Sequence, residues 1–225
     1  MGKTILSKNQ QELLKAFSEE KIIQNYFFLT GGTALAEYYL HHRYSEDLDF
    51  FSVAPFESEE ILSTMRGLQK VFPYKKLEFK QQFHRNLYYF HLENEVIKTE
   101  FTYYPFEQIE KPHILDGIKI DSLLDIAVNK TFTIFQNPRS RDFIDLYFIV
   151  KQKKWSLEEL MKKAQIKFDI YVDAIQIGKQ FMRVTEVKDY PRMIKKIEPE
   201  VWQKFILDQA RKLELMDNLL SKSKL

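Results

Sequence analysis

Phe28-Leu29-Thr30-Gly31-Gly32-Thr33-Ala34-Leu35 leads, through His41-His42-Arg43-Tyr44-Ser45-Glu46, into Asp47-Leu48-Asp49-Phe50-Phe51. The aromatic run 26–30 reads as a short buried strand that passes directly into two glycines. Helical spacing then predicts a helix from Thr33 to about Leu40, closed by the polar turn 41–46, and a second strand over 47–51. A strand ending in Gly-Gly at the start of a helix leaves N–H groups unpaired. Glycine lets an anion approach them, which makes this turn a candidate phosphate cradle. Two glycines alone are more often only a turn. Asp47 and Asp49 change that balance, because residues i and i+2 of a strand share a face. Their carboxylates project together while Leu48 and Phe50 face the core. Two such acids raise each other's pKa unless a cation lies between them. Magnesium, a hard ion that takes carboxylate and phosphate oxygens, is the common solution. The alternative is an exposed edge strand with its acids in water, and the flanking Leu48, Phe50 and Phe51 argue against it.

Outward from this stretch, Ser7 and Gln10 form a capping box ahead of the apolar positions Leu13, Leu14 and Phe17. Residues 58–71 have helical spacing. Residues 77–83 and 87–92 read as strands separated by the turn His84-Arg85-Asn86, and 96–103 as a third strand after Glu93-Asn94-Glu95, giving an antiparallel meander. From Asp121 onward the pattern is helical, over 121–135, 141–151, 156–164, 169–184 and 199–220, with Ser156 and Glu159 a second capping box. The chain thus divides into a mixed α/β part, 1–120, and a helical region, 121–225.

Composition narrows the class further. The 225 residues are 44% apolar and 15% aromatic, and 34 basic side chains nearly balance 32 acidic ones. That excludes an acidic tail, a histone-like coat protein and a disordered chain. The absence of cysteine excludes disulfides, thiolate zinc sites and cysteine catalysis. No apolar run approaches the roughly 20 residues that span a bilayer, and the first residues lack the pattern of a secretory signal. The expectation is a soluble cytoplasmic protein with no membrane partner. A slight basic excess in 121–225 could favour a polyanion, although such an excess is more often a solvated surface.

Two further groups carry chemistry. Lys130 lies on the apolar stripe of Leu123, Ile126, Ala127, Thr131 and Ile134, where a lysine either snorkels to solvent or meets an anion. Asp142 and Asp145 share a helical face, and acids are rarely buried without partners. For Asp142 the structural alternative is stabilisation of a helix start, and for Asp145 a salt bridge to Arg139 or Arg141. Strand alternation sets Glu100 on the face of Lys98 and Thr102, opposite Ile97, Thr99 and Phe101. His41 and His42 have no close partner for a metal and read as helix-terminal residues. Tyr88-Tyr89-Phe90 and Tyr103-Tyr104 could stack on a base, but aromatic residues in strands are mostly core.

Residues 28–51 resemble the first motif of the DNA polymerase β-like nucleotidyltransferase superfamily: Gly-Gly or Gly-Ser, a helix, then Asp-x-Asp on a strand. Within it they look most like the AbiEii/AbiGii branch, toxins of abortive-infection toxin–antitoxin pairs. Lys130 followed by Arg139-Ser140-Arg141-Asp142-Phe143-Ile144-Asp145-Leu146 resembles that family's second signature. The similarity at the level of motifs spans about 28–146, and the last 75 or so residues carry no motif of that pattern.

The resemblance implies an α/β (α+β) nucleotidyltransferase core, a small mixed sheet flanked by helices, followed by a helical region that completes the active site. It implies transfer of NMP from an NTP to an acceptor hydroxyl, with RNA such as a tRNA end as acceptor and a cognate antitoxin in the cell. Asp47, Asp49 and a third carboxylate, Glu100, would hold two Mg2+ ions. Glu78, Glu93 and Glu95 are rivals for the third place. Gly31, Gly32 and Thr33 would bind the β/γ-phosphates, Arg43 and Ser45 would contact phosphate, Lys130 would neutralise transition-state charge, and Asp142 would be a further catalytic residue. Two departures stand out. Gly32 replaces a common serine, which would leave the hydroxyl to Thr33, and Glu100 stands where Asp is commoner. A catalytically inactive nucleotide-binding or protein-interaction module on the same fold is the main alternative. The intact Gly31, Gly32, Asp47 and Asp49 favour an enzyme over it. A metal-dependent nuclease would also use clustered acids, but it does not account for the Gly-Gly turn.

Overall fold

The computed structural model describes residues 4–222 apart from Val172, without the side chains of 174, 175 and 213–222. Its contacts gather into two units, 1–123 and 124–225.

The first unit is built on a seven-stranded mixed sheet. Helix α1 (Lys8–Ser18) opens on the expected capping box, with Ser7 accepting from the Gln10 amide and the Gln10 side chain returning to the Ser7 N–H. A short helix α2 (Lys21–Tyr26) leads into β1 (Phe28–Thr30). Then come α3 (Gly31–Leu35), which widens into a π-helical turn over Ala36–Leu40, and β2 (Leu48–Ser52). Helix α4 (Ser58–Gly67) precedes the meander β3 (Lys76–Gln82), β4 (Arg85–His91) and β5 (Val96–Tyr103). The hairpin β6 (His113–Leu115) and β7 (Ile118–Ile120) closes the unit. Across the sheet the order is β3-β4-β5-β2-β1-β7-β6. The pairs β2–β5 and β1–β7 are parallel and the others antiparallel.

Alternation along β2 and β5 puts Leu48, Phe50, Ile97 and Phe101 into the core. There Phe50 stacks on Phe101 with ring centroids 5.0 Å apart, and Phe17 of α1 meets both rings edge-on. Tyr88 and Phe90 are buried as well, so the aromatic clusters of β4 are core. Each fully buried ring of this kind contributes about 2–3 kcal/mol by area removed from water.

Two turns depart from the sequence expectation. The β3–β4 loop is only Phe83-His84, with Gln82 paired to Arg85 and Phe83 at φ +52°. Arg85 and Asn86, expected in the turn, are therefore strand residues. The hairpin β6–β7 was not anticipated. It turns on Asp116-Gly117, both at positive φ (48° and 80°), as a type I′ turn requires. Strand β7 continues the sheet beyond β1, and the Asp121 amide that follows it donates to the Leu29 carbonyl at 2.9 Å.

The described part of the second unit is helical: α5 (Leu123–Gln136, entered at the boundary), α6 (Ser140–Lys153), α7 (Leu157–Phe168), α8 (Ala174–Met182) and α9 (Pro199–Lys222). The second capping box, Ser156 with Glu159, is formed. Asp189, from the segment before α9, accepts from both the amide and the hydroxyl of Ser140 at 2.9 and 2.6 Å and so caps α6 from outside. Within this unit Lys167 reaches the buried Asp125 at 2.7 Å, a structural ion pair. Among the described residues no helix is long and apolar enough to cross a membrane.

Candidate active site

The Gly-Gly turn and the acidic strand meet where β1 and β2 run side by side. Thr30 pairs with Asp49 across the antiparallel ladder, and Asp49 pairs with Glu100 across the parallel one. Because both members of a register pair project to the same face, Asp49 and Glu100 stand next to each other on the face opposite the Phe50–Phe101 stack. Asp47 lies just ahead of β2.

Gly31 has φ +73°, and a Cβ built there would come 2.5 Å from Asp49 Oδ2. Only glycine permits this approach of backbone to carboxylate. Gly32 is closely packed for a different reason. Its Cβ would lie 2.5 Å from an Arg43 guanidinium nitrogen and 3.0 Å from Ser45 Oγ. The space that a serine would fill is taken by Arg43, whose side chain is almost wholly buried and donates to the Tyr44 carbonyl at 3.0 Å. Gly31, Gly32, Arg43, Ser45 and Asp49 are thus gathered at one turn.

Thr33 is fully buried, and its hydroxyl donates to the backbone carbonyl of Asp47. That hydroxyl ties the helix start to the acidic strand, a use that the phosphate-binding expectation did not include. His41 ends the π-helical turn in the left-handed region at φ 45°, and His42 is buried.

The acids carry cations that sequence reasoning missed. Arg85 forks onto Glu100, Nε to Oε1 at 2.6 Å and a terminal nitrogen to Oε2 at 2.5 Å, while Thr102 donates to Oε1 at 2.7 Å. Lys98 donates to Asp47 Oδ2 at 2.8 Å. Burial alone would lower the Lys98 pKa. Its hydrogen bond to Asp47 and the charges of Asp47, Asp49 and Glu100 outweigh that and raise it. The hydrogen bond to Glu100 likewise raises the Arg85 pKa. The signal for Lys98 was its position two residues from Glu100 on one strand face. Arg85 was hidden by the misplaced turn. Glu78, one rival for the third carboxylate, sits on β3 among Lys80, Lys76 and His91, and Lys80 lowers its pKa. Glu93 pairs with Lys75, and Glu95 accepts from Ser7 and Asn9.

Next to Thr30 lies one more carboxylate. Asp121 is fully buried and accepts from the Thr30 hydroxyl and from Gln108, each at 2.7 Å. It steadies the strand end that adjoins Asp49.

With Asp47 on Lys98 and Glu100 on Arg85, no three His, Asp or Glu side chains among the described residues are gathered into a ready metal cage. The donor set nevertheless fits a hard divalent ion. It consists of three carboxylates, of which Asp49 and Glu100 are neighbours in register on one face.

In the second unit, Lys130 of α5 is buried on the expected stripe. Its ammonium lies 2.8 Å from Asp142 and 2.9 Å from Asp145, whose side chains are 1% and 0% exposed. Asp142 also accepts from the Arg139 amide at 3.1 Å, so it serves the start of α6 as well. Asp145 pairs with Lys130, where a bridge to Arg139 or Arg141 was expected.

A strand–glycine–helix turn beside paired carboxylates, on this mixed sheet, is the arrangement that the resemblance to nucleotidyltransferases implied. Residues 12–222 match the family described as nucleotidyl transferase AbiEii toxin, Type IV TA system, and the chain belongs to that family. The uncharacterized protein aq_aa25 of Aquifex aeolicus is 34% identical over 171 residues, which cover 72% of this chain and 76% of that protein. Among solved structures, JHP933 from Helicobacter pylori shares the fold at TM-score 0.58 and 19% identity, covering 98% of this chain and 100% of that one. MenT4, a nucleotidyltransferase toxin from Mycobacterium tuberculosis, does so at TM-score 0.52 and 13% identity, covering 91% and 81%.

Proposed function

We propose that the chain is a divalent-metal-dependent enzyme that moves NMP from an NTP to an acceptor hydroxyl. It would act as the toxin of a pair in which a cognate antitoxin restrains it. The observation that carries this reading is the register pairing of Asp49 with Glu100 directly beside Gly31, in a chain of this family.

Asp47, Asp49 and Glu100 are the groups that would hold Mg2+, two ions as the family pattern implies. When bound, the metal supplies a lowered pKa to the attacking hydroxyl and a counter-charge to the leaving pyrophosphate. The backbone N–H groups at Gly31 and Gly32 offer donors to the β/γ-phosphates, and Arg43 and Ser45 flank the same turn. Thr33 holds the Asp47 backbone in place. Glu100 is also suited to take the proton of the acceptor hydroxyl. Lys130 and Asp142 belong to the second unit and join the proposal through the family's second signature alone, Lys130 as the cation that balances charge developing on the phosphates and Asp142 as the carboxylate that holds its ammonium. The acceptor we favour is RNA, a tRNA end included. An enzyme that consumes NTPs works where they are made, in the cytoplasm.

The test is transfer itself. Purified protein is incubated with Mg2+, each α-labelled NTP in turn, and total RNA or total protein. Label in RNA that needs Asp49 supports the proposal. Label in protein would replace the acceptor, and no label with any NTP in either pool would remove the activity.

A further inference from the structure

The acidic face holds three carboxylates, Asp47, Asp49 and Glu100, and two cations placed on them, Lys98 and Arg85. Of the two contacts, the one from Arg85 is the more committing. Its fork uses both oxygens of Glu100, and Thr102 takes a second lone pair of Oε1, so three of roughly four acceptor positions are filled. Glu100 is 5% exposed while the Arg85 side chain is about half exposed. The carboxylate is therefore fixed in the sheet, and the guanidinium is the partner free to leave.

We propose that Arg85 is the resident counter-ion of Glu100 and competes with the divalent ion for it, Lys98 doing the same at Asp47. The inference rests on the proposed metal site. Three like charges on one sheet face would repel and strain the strand ends, and the two basic side chains cancel most of that repulsion in the metal-free chain. A divalent ion can engage Glu100 through both oxygens only where it replaces the guanidinium, because the fork and Thr102 leave it a single acceptor position. The fork therefore costs metal affinity and provides metal-free stability. Register makes the arrangement possible: Arg85 pairs with Thr102, one place along the same face from the Leu87–Glu100 pair.

The experiment measures Mn2+ binding directly, by the loss of free-ion EPR signal, on the full chain without nucleotide, together with melting temperature with and without Mn2+. Arg85→Met should melt lower than the wild type without metal, gain more on adding Mn2+, and bind the ion roughly fivefold more tightly, the range for a half-exposed charge pair. Arg85→Lys, which keeps the charge but loses the fork, should fall between the two and serves should the methionine variant not fold. Lys98→Met should shift in the same direction. Equal or weaker Mn2+ binding in Arg85→Met overturns the competition, since Arg85 would then be positioning Glu100 for the ion. Asp49→Asn separates the two layers of the argument. If it binds Mn2+ as the wild type does, the metal site itself is wrong and the competition falls with it. If it loses the ion while Arg85→Met is unchanged, only the competition falls.

Discussion

Each acid proposed for the active site stands in a contact that makes its replacement informative. Asp47→Asn and Asp49→Asn should each abolish transfer in a protein that still melts cooperatively, because both residues are half-buried and neither packs the core. Glu100→Gln should lose transfer as completely, whereas Glu78→Gln, which disturbs only its pairs with Lys76, Lys80 and His91, should keep it. The reverse result would assign the third carboxylate to the other strand. Gly31→Ala tests the close approach. The positive φ alone costs about 1–2 kcal/mol, and the added Cβ collides with the Asp49 carboxylate. The expected outcome is a modest fall in melting temperature with a disproportionate loss of Mn2+ affinity. Equal losses in both would make the glycine purely a folding residue.

Two helices of the second unit, α5 and α6, are joined by the Lys130 cluster. The stripe position of Lys130 was compatible with an NTP partner, in which case Lys130→Met would leave the metal-free protein as stable as before. The observed bridge to two buried carboxylates predicts otherwise. Lys130→Met strands Asp142 and Asp145 and should cost about 3–5 kcal/mol in denaturant unfolding. A variant of undiminished stability would show that the ammonium is not held by these acids in solution. The outer cap of α6 gives a pH prediction. Burial acts to raise the Asp189 pKa, but its hydrogen bonds from Ser140 prevail and lower it. A depressed carboxylate contributes stability that is complete above its unfolded pKa, about 3.9, and is lost as pH falls through the lower folded value. Asp189→Ala should therefore cost about 1 kcal/mol near neutrality, and the gap to wild type should close below about pH 4. A gap that persists in acid would point to packing instead.

The whole molecule divides at Leu123 and Leu124. The first unit holds the entire sheet, its aromatic core and all three acids of the face, which is what an independently folding domain needs. Residues 1–123 expressed alone should melt cooperatively and bind Mn2+ in a manner that Asp49→Asn removes. A fragment without a cooperative transition would show that this core depends on the rest of the chain. Much of this organisation was legible in the sequence. Alternation identified which faces of β2 and β5 are apolar, the Gly-Gly turn and Asp-x-Asp strand pointed to the candidate site, and capping boxes marked two helix starts. These are local signals, since a period of two or 3.6 residues and a cap are written within one element. What tertiary structure decided was pairing. A two-residue loop in place of a longer turn brought Arg85 into β4 and onto Glu100, and β7 came to lie against β1 from more than 80 residues away. The same holds for Lys130, whose stripe left open whether it snorkels to solvent or meets an anion, and packing brought both Asp142 and Asp145 to it. Periodicity says which way a side chain points. Only register and packing between distant segments determine what it meets.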